Sequence, residues 1–444
     1  MRIGFHTFGC KLNQYETEAL ASSFRGHGHT VVSALDDADA YVINTCTVTG
    51  RADHKSRAAV RGLSRKHPES LLIVTGCSAQ LEARALSALG GNIVVVPQSA
   101  KADLLVLAER IAEEQDIRAG LARLRDESSP AVPDPFAFRV DTLSFHTRAF
   151  LKIQDGCDGL CAYCRVPQAR GAATSLDVEE VIRRATALES QGHREIVVTG
   201  VNLSAYRSRG IGLPRLVGEL TGATRRVRFR LSSLEPESLT EDLALNLRHE
   251  RICAHFHVPV QSGSNAVLQR MKRRYRAERV VEGAGLLRAA KEAPFLAADF
   301  IVGFPGETQE DHAMTVGLIE RLGLAALHVF PYSARPGTAA AGFRPRVPQR
   351  VRDQRARQLG DMSRGLLDTY ARSWLGKDVE VLLESSRRRQ EPEAPAVSGR
   401  GVSENYLKVI VEDLPAESNG KGKIARARIV HSGETCRAAF LGFA

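Results

Sequence analysis

The chain has 444 residues, of which 43% are hydrophobic and 25% are charged. This globular composition provides core material for two or three domains. There is no apolar run of the roughly eighteen residues that a spanning helix needs, and the start MRIGFHTFGC lacks the features of a secretory signal. We therefore expect a cytoplasmic protein without a membrane partner, whose eight cysteines form no disulfide framework.

The formal net charge of +10 favours a polyanionic partner without identifying it. The basic residues gather in three runs, at 271–276, 343–357 and 386–389. Each run alone is more simply a solvated helix face or loop. Together with a small terminal β module, they favour RNA over lipid.

Residues 1–125 alternate strand and helix signals, which predicts an N-terminal parallel α/β domain. The predicted strands are MRIGFHTF, AYVINT, LLIVTG and NIVVVP. Helices are expected from Asn13, as an N-cap, to about His27, from about Ala52 to Arg65, after Cys77, and over 101–115.

Three cysteines of this segment occupy the same position in the pattern. Cys10, Cys46 and Cys77 each lie just beyond the carboxyl end of a predicted strand. Ligands bind at that edge of open parallel sheets. One cysteine there would be unremarkable, but three predict a shared rim.

The segment 126–138, DESSPAVPDPFAF, has the composition of a linker. A second domain is expected over 139–373. Its six predicted strands are 149–154, 195–200, 226–233, 255–261, 296–304 and 326–333, separated by helices at 177–191, 213–220, 240–248, 264–272 with 277–291, and 308–322. Six β/α repeats fit a partial (β/α)6 barrel with its active site at the strand carboxyl ends.

Residues 374–444 form the third predicted domain. VEVLLE, NYLKVIV and GKIARARIV are short alternating strands with no helical segment between them. This pattern is typical of a small antiparallel barrel of the OB-like kind, which often binds RNA. Residues 390–400 are expected to form an exposed loop within it.

The most specific motif is QDGCDGLCAYC, which contains Cys157, Cys161 and Cys164. Three thiolates on one loop can hold three irons of a [4Fe-4S] cubane and leave the fourth iron open. That iron can bind the amino and carboxyl groups of S-adenosylmethionine (SAM). The alternative is a structural zinc, which closes with four ligands, and this loop offers no fourth ligand nearby.

The C-x3-C-x-aromatic-C run resembles the radical SAM superfamily, with Tyr163 in place of the aromatic residue that lies against adenine. TFGCKLNQYE, NTCTVT and TGCSAQ resemble the N-terminal domain of the methylthiotransferases. VTGVN, LSSLEP, HVPVQSGS, DFIVGFPGET and YSARPGT resemble the barrel motifs of that family. The C-terminal module is similar to a TRAM domain. The order and spacing of these motifs cover nearly the whole chain.

The resemblance assigns SAM contacts to Gly200 and, by extension, Asn202, and to Gly303. Gly200 ends a predicted strand, where the missing Cβ lets a ligand approach the backbone. Glu235 could accept hydrogen bonds from a ribose or an ammonium group, or could be an ordinary loop acid before Pro236. Gly303 and Gly306 frame a turn that simple turn chemistry would also explain.

The resemblance also makes Cys10, Cys46 and Cys77 the ligands of a second, auxiliary [4Fe-4S] cluster. It implies that one SAM methylates a sulfur atom attached there. A second SAM is cleaved to a 5′-deoxyadenosyl radical that activates a C–H bond for methylthio insertion. An electron donor such as flavodoxin or ferredoxin and a sulfur source are expected partners.

Three substrate types share this architecture: adenosine beside the tRNA anticodon carrying an isopentenyl group, the same adenosine carrying a threonylcarbamoyl group, and an aspartate of a ribosomal protein. TFGCKLN and NTCTVTGRADHKSR most resemble the threonylcarbamoyl type. The implied partner is a tRNA anticodon stem-loop, whose unpaired bases can enter a pocket. One departure is Leu176, where the family has a second arginine after Arg170 and Gly171.

Two readings from other classes remain open. The basic runs and the terminal barrel would also suit a non-catalytic RNA-binding protein with a structural metal. An iron–sulfur electron carrier fits less well, because the cysteines come in triads rather than fours. Cys253 and Cys436 lie outside both triads and are expected to be small buried hydrophobic residues.

Overall fold

The structure, a computed structural model, describes residues 1–127, 134–140, 145–388, 397–415 and 420–444. Within these ranges no helix is both long enough and apolar enough to cross a membrane. A five-stranded sheet, a six-stranded open barrel and a small closed barrel follow one another along the chain.

The N-terminal part is a five-stranded parallel sheet with helices, as predicted. Its strands are β1 (Arg2–Thr7), β2 (Thr30–Ser33), β3 (Ala40–Thr45), β4 (Leu71–Gly76) and β5 (Ile93–Val95), in the spatial order β2-β1-β3-β4-β5. Its helices are α1 (Lys11–Gly26), α2 (Gly50–Lys66), α3 (Cys77–Ser87), α4 (Asp103–Glu114) and α5 (Ile117–Glu127). Every residue of β3 and β4 is buried, as expected for central strands covered on both faces.

The helix start predicted at Asn13 is wrong. Helix α1 begins at Lys11, and Cys10 occupies its N-cap position. The Asn13 side chain instead donates to the carbonyl oxygens of Phe8 (2.8 Å) and Thr45 (2.9 Å). Asn13 therefore ties the first turn of α1 to two loops of the rim. The sequence pattern also missed β2 and α5.

The described residues of the central part contain ten strands. They are β6 (Ala149–Lys152), β7 (Gln154–Asp155), β8 (Thr174–Ser175), β9 (Glu195–Thr199), β10 (Arg207–Ser208), β11 (Ile211–Gly212), β12 (Arg228–Leu231), β13 (His255–Gln261), β14 (Phe295–Val302) and β15 (Ala326–Pro331). Parallel pairing gives the orders β6-β9-β12 and β13-β14-β15, and two parallel bridges join β12 to β13. Six of these strands, β6, β9, β12, β13, β14 and β15, form the predicted open barrel, which we call the half-barrel.

Helices surround the half-barrel. They are α6 (Val166–Arg170), α7 (Val178–Ser190), α8 (Leu213–Ala223), α9 (Glu241–Leu247), α10 (Asn265–Arg270), α11 (Ala277–Ala290), α12 (Gln309–Leu322) and α13 (Gln349–Arg372). The 24-residue α13 was not predicted. Its basic sequence has few apolar positions, and its inner face buries Arg355 and Leu359.

The linker predicted at 126–138 is wrong at its start, because residues 126 and 127 are the last two residues of α5, while residues 134–138 have no regular structure. Its residues 128–133 lie outside the described ranges, but Phe136 and Phe138 are buried at 8% and 2% exposure. The Tyr15 hydroxyl donates to the Phe138 carbonyl, and Arg184 donates to the Phe136 carbonyl at 2.8 Å. The end of this segment therefore packs between α1 and α7.

The C-terminal part is a closed five-stranded barrel. Its strands are β16 (Asp378–Arg388), β17 (Val397–Ser403), β18 (Lys408–Leu414), β19 (Ile424–His431) and β20 (Cys436–Phe443). Their order is β16-β17-β18-β20-β19, and β19 pairs again with β16. All pairs are antiparallel except β18–β20, which is parallel.

Two details of the terminal barrel differ from the prediction. Residues 397–400 of the predicted loop belong to β17, with Val397 buried, while the loop's residues 390–396 lie outside the described ranges. Ala371 of α13 packs in the barrel core together with Trp374. The last turn of this long helix thus forms part of the barrel. Cys253 and Cys436 are buried, as predicted.

Candidate active site

Cys10, Cys46 and Cys77 lie together at the carboxyl edge of the N-terminal sheet. Cys10 caps α1 after β1, Cys46 directly follows β3, and Cys77 is the first residue of α3. A Cβ on Gly9, which has φ +97°, would lie 2.5 Å from the Cys46 sulfur. Only glycine therefore allows the Cys10 loop to approach Cys46 this closely.

Burial and the neighbouring thiols Cys10 and Cys77 raise the pKa of Cys46 to about 12. Burial also raises the pKa of Cys77, against the opposing charge of Arg170. Both thiols would therefore remain protonated at neutral pH. Cation or cluster binding would be needed to deprotonate them.

The second triad lies on the loop after β7, at the carboxyl end of the half-barrel. Gly159 N–H donates to the Cys157 sulfur at 3.3 Å, and Val166 N–H donates to the Cys164 sulfur at 3.4 Å. The Cys161 sulfur accepts a hydrogen bond of 3.2 Å from Arg273. These donors would stabilise negative charge on all three sulfurs.

The donor sets fit two iron–sulfur clusters better than zinc ions. Each triad supplies three thiols, and the other two cysteines, Cys253 and Cys436, are buried outside the triads. Within the described ranges, the group with all ligand atoms within 4.8 Å of one another is His257, Asp299 and His328. Neither triad is drawn together as tightly as the ligands of one zinc ion.

Tyr163 and Gly303 lie on one side of the cysteine loop. Tyr163 contacts Phe304 edge to face, with ring centroids 6.4 Å apart. Gly303 has φ +69°, and a Cβ there would meet the Arg352 side chain at 2.1 Å. Its N–H donates to the Glu307 carboxylate at 3.0 Å, which fixes the turn. This hydrogen bond therefore holds the turn, and the glycine lets the Arg352 side chain approach the backbone closely.

Gly200 and Asn202 follow β9 and contact Gln154 of β7, the strand that precedes the loop with the second triad. A Cβ on Gly200 would lie 3.0 Å from Cβ of Gln154. The Gln154 side-chain oxygen accepts from Asn202 N–H at 2.8 Å. The Asn202 side chain accepts from Ser204 N–H and so caps the following turn. Its side-chain oxygen is therefore already engaged locally.

Glu235 is not an ordinary loop acid. Its carboxylate is paired with Arg273, the same arginine that donates to the Cys161 sulfur. Burial raises the pKa of Glu235 to about 7, against the effect of the Arg273 charge. The pair joins the carboxyl end of β12 to the cluster loop. The run 271–276, considered a solvated face, thus contains a buried arginine that contacts the Cys161 sulfur.

A buried charge cluster joins the N-terminal sheet to the half-barrel. The Glu16 carboxylate accepts from Lys101 (2.6 Å), Lys152 (2.9 Å) and Arg170 (2.8 Å). Asp155 pairs with Lys152 at 2.5 Å and with Arg170 at 3.0 Å. We call these five residues the junction cluster. Their opposite charges hold the pKa of Glu16 well below its ordinary value, despite its burial.

The junction cluster contacts residues near the first triad and includes Arg170 of α6, the helix that follows the second triad. Arg170 also donates to the Asn13 side-chain oxygen at 2.7 Å, and Lys101 donates to the Asn44 side-chain oxygen at 3.0 Å. Asn44 immediately precedes the last residue of β3, two positions before Cys46. The cluster therefore fixes the rim that carries the first triad against the helix that follows the second.

One cavity of about 720 Å³ connects the three parts of the chain. The N-terminal part contributes Cys10 and Lys11, the half-barrel contributes Gly200, and the terminal barrel contributes Tyr406. Its aromatic lining residues are Phe150, Phe295, Phe330 and Tyr406. A rim cysteine and a predicted SAM contact thus face the same space, which is large enough for a nucleoside.

Charged groups also line this cavity. Asp299 accepts from His257 at 2.7 Å and from His328 at 3.1 Å, and these two partners lower the pKa of its carboxyl group to about 2. Burial and the positive charges of Arg148 and others lower the pKa of Lys11 to about 8. The sequence motifs did not identify these residues as part of the site. An aspartate inside the otherwise apolar strand DFIVGF is a signal from which Asp299 could have been predicted.

Leu176, the departure from the family pattern, packs in the hydrophobic core of the half-barrel. Its N–H donates to the Ile153 carbonyl at 2.8 Å. Position 176 therefore contributes packing and a backbone hydrogen bond rather than a charge.

Comparison with known proteins agrees with this architecture. Residues 2–98 match the uncharacterized protein family UPF0004, and residues 151–319 match the Radical SAM superfamily. Among solved structures, the radical S-adenosylmethionine methyltransferase TsrM from Kitasatospora setae aligns with a TM-score of 0.53. It has 16% identity and covers 76% of this chain and 73% of its own. The fold is that of a radical SAM enzyme.

Relatives over the full length define the family. Threonylcarbamoyladenosine tRNA methylthiotransferase MtaB is 35% identical in Treponema pallidum, covering 97% of this chain and 98% of that protein. The Bacillus subtilis protein of the same name is 36% identical and covers 97% and 94%. A tRNA-2-methylthio-N(6)-dimethylallyladenosine synthase from Cereibacter sphaeroides is 32% identical and covers 97% and 96%. The chain belongs to the MtaB-type radical SAM methylthiotransferases.

Proposed function

We propose that this enzyme converts threonylcarbamoyladenosine, at the position 3′ of the tRNA anticodon, to its 2-methylthio derivative. The observation that carries the proposal is the cavity that Cys10, Gly200 and Tyr406 line together. It would let one base lie between a sulfur-donating site and a radical-generating site. The relatives named for this nucleoside support the choice of substrate.

Each triad is assigned one role. Cys157, Cys161 and Cys164 would hold the SAM-cleaving [4Fe-4S] cluster, and Cys10, Cys46 and Cys77 the auxiliary one. When bound, the clusters and SAM supply the carbon radical and the methylthio group, which acid–base groups cannot supply at an aromatic C–H bond. The residues of the chain position the reactants and exclude water.

SAM would be bound by residues that surround the second triad. Tyr163 and Gly303 would lie on the adenine side, where the aromatic ring of Tyr163 suits a purine. Gly200 and Asn202 would serve the methionine end through the backbone, since the Asn202 side chain caps its own turn. Glu235, fixed by Arg273, presents a carboxylate for a ribose or an ammonium group.

The three parts of the chain would divide the work. Residues 1–125 would bind the auxiliary cluster, and residues 139–373 would generate the radical. Residues 374–444, a TRAM-like module, would bind the anticodon stem-loop. An electron donor such as flavodoxin or ferredoxin and a separate sulfur source complete the reaction. The site of action is the cytoplasm, where the tRNA substrate is found.

Mass spectrometry of tRNA nucleosides tests the proposal. A strain lacking the gene should lose the methylthio form of threonylcarbamoyladenosine and regain it with the wild-type gene, but not with Cys46→Ala. Loss of the methylthio isopentenyl nucleoside would instead favour the function named for the Cereibacter relative. If both nucleosides persist, a ribosomal-protein substrate or a non-catalytic RNA-binding role replaces this proposal.

A further inference from the structure

We propose that Lys11 is the specificity residue that binds the carboxylate of the substrate's amino-acid side chain. The inference rests on the proposed function and extends it, because it assigns the group that distinguishes a carboxylate-bearing adenosine from an uncharged one. Lys11 is the first residue of α1, follows Cys10 directly, and lines the cavity.

Among the residues that the structure describes, Lys11 has no counter-ion. No hydrogen bond or ion pair joins its ammonium group to another of the described residues, whereas the charges around it are paired. Arg148 pairs with Glu384 at 3.2 Å, and Arg230 pairs with Glu195 at 2.8 Å. Asp299 is engaged by two histidines.

The surroundings of Lys11 also favour an anion. Lys11 and Arg148 both line the cavity, and Asp299 is the carboxylate among its lining residues. Two cations against one carboxylate give the lining an excess of positive charge. A carboxylate entering the cavity would supply the missing counter-ion and form charge-assisted hydrogen bonds.

The chemistry of the proposed substrate places its carboxylate near Cys10. The amino-acid N–H of threonylcarbamoyladenosine can donate to N1 of the adenine, which closes a six-membered ring. That bond turns the amino-acid part toward the base edge that carries C2, the atom to be modified. When C2 faces the auxiliary site, the carboxylate lies a few ångströms away, where Lys11 follows a ligand of that site.

An isopentenyl group offers no such anion. It would leave the Lys11 ammonium without a counter-ion, and sites built to bind a polar group reject analogues that lack it. The same residue would therefore both attract the carboxylate-bearing nucleoside and disfavour the apolar one.

The test compares two anticodon stem-loop RNAs with the reconstituted holoenzyme. One carries threonylcarbamoyladenosine, and the other carries its carboxamide, which removes the charge and keeps the shape. We expect the wild type to prefer the carboxylate RNA by roughly ten- to a hundredfold in kcat/KM and in affinity. Lys11→Gln should abolish this preference, and Lys11→Arg should retain part of it.

Lys66→Gln is the matched control, because Lys66 is exposed at the end of α2 far from the cysteine rim. It removes the same charge and should leave the preference unchanged. Iron content and 5′-deoxyadenosine formation without RNA should be equal in all variants, which excludes loss of a cluster as the cause.

Several results would overturn the assignment. Equal kcat/KM values and affinities of the wild type for the carboxylate RNA and the carboxamide RNA would refute it, whatever the result for Lys11→Gln. An undiminished carboxylate preference in Lys11→Gln would also refute it, while the proposed function would survive. If the wild type methylthiolates only isopentenyladenosine RNA, the proposed function and this inference fail together.

Discussion

Replacing Glu16 by glutamine removes one negative charge from the junction cluster with almost no change in shape. The cluster contains three cations and two anions, all almost fully buried. Without Glu16, Lys101 loses its carboxylate partner, and Lys152 and Arg170 share Asp155 alone. Three buried cations would then face one anion.

Breaking a buried ion pair by removing one partner costs about 3–5 kcal/mol, since the remaining charge stays desolvated. Domains of this size lose roughly 2–4 °C of melting temperature per kcal/mol, so we expect a decrease on the order of 10 °C. The same change at Glu219 is the control. Its pair with Arg215 is exposed, so Glu219→Gln should cost less than about 1 kcal/mol.

The pH dependence gives a second measure. Because the folded-state pKa of Glu16 is held well below its ordinary value of 4.5, its contribution is fully present above that pH. It is lost as the pH falls through the lowered value. Glu16→Gln should therefore lose stability at neutral pH and show a weaker loss on acidification than the wild type.

Differential scanning fluorimetry of the apoprotein at several pH values measures both effects, and iron analysis of the reconstituted protein adds a third. Since the cluster fixes the rim that carries Cys46, iron should be lost mainly from the auxiliary site. Equal melting temperatures for Glu16→Gln, Glu219→Gln and the wild type would refute the reasoning.

Three further predictions concern the clusters and the terminal barrel. Cys157→Ala should abolish 5′-deoxyadenosine formation, whereas Cys46→Ala should retain cleavage and lose methylthiolation, with about half of the iron left in each. Undiminished SAM cleavage in Cys157→Ala, or full methylthiolation in Cys46→Ala, would contradict this assignment, as measured by chromatography. Glu195→Gln should loosen the terminal barrel, because Glu195 orients Arg228 and Arg230, which donate to barrel carbonyl groups. Faster hydrogen exchange in β16 and β17 checks this, and unchanged exchange there would contradict it. Deleting residues 377–444 should weaken tRNA binding at physiological salt more than SAM cleavage, and a truncated protein with full tRNA affinity would exclude an RNA role for the barrel. Trp374 remains in that variant to cover the end of α13.

The local parts of the fold could be predicted from sequence because they depend on neighbouring residues. Alternating strand and helix signals predicted the parallel sheet and the half-barrel, since short apolar runs such as AYVINT are typical of central strands. The helix α13 was missed because its few inward residues are held by tertiary contacts, such as the pair Arg355–Glu307. The start of α1 was misplaced because Asn13 serves tertiary hydrogen bonds instead of capping.

The sequence predicts the six cysteines of the candidate site. Three of them share one short loop, and the other three share one position relative to their strands. That position is a local property, and parallel strands bring it to a common edge. Spacing and strand order therefore indicate two thiol sites, and the resemblance to the methylthiotransferases implies the reaction that they would serve.

Only the tertiary structure brought Cys10 of the first triad and Gly200, the predicted SAM contact, to one cavity. It also showed what surrounds both triads. Glu16, Lys101 and Lys152 come from distant parts of the chain, and no spacing relates them. Arg273 was indistinguishable from a solvated basic residue until its contacts with Glu235 and the Cys161 sulfur were seen. Burial and pairing of charge depend on packing between elements, and the order of residues along one element does not encode them.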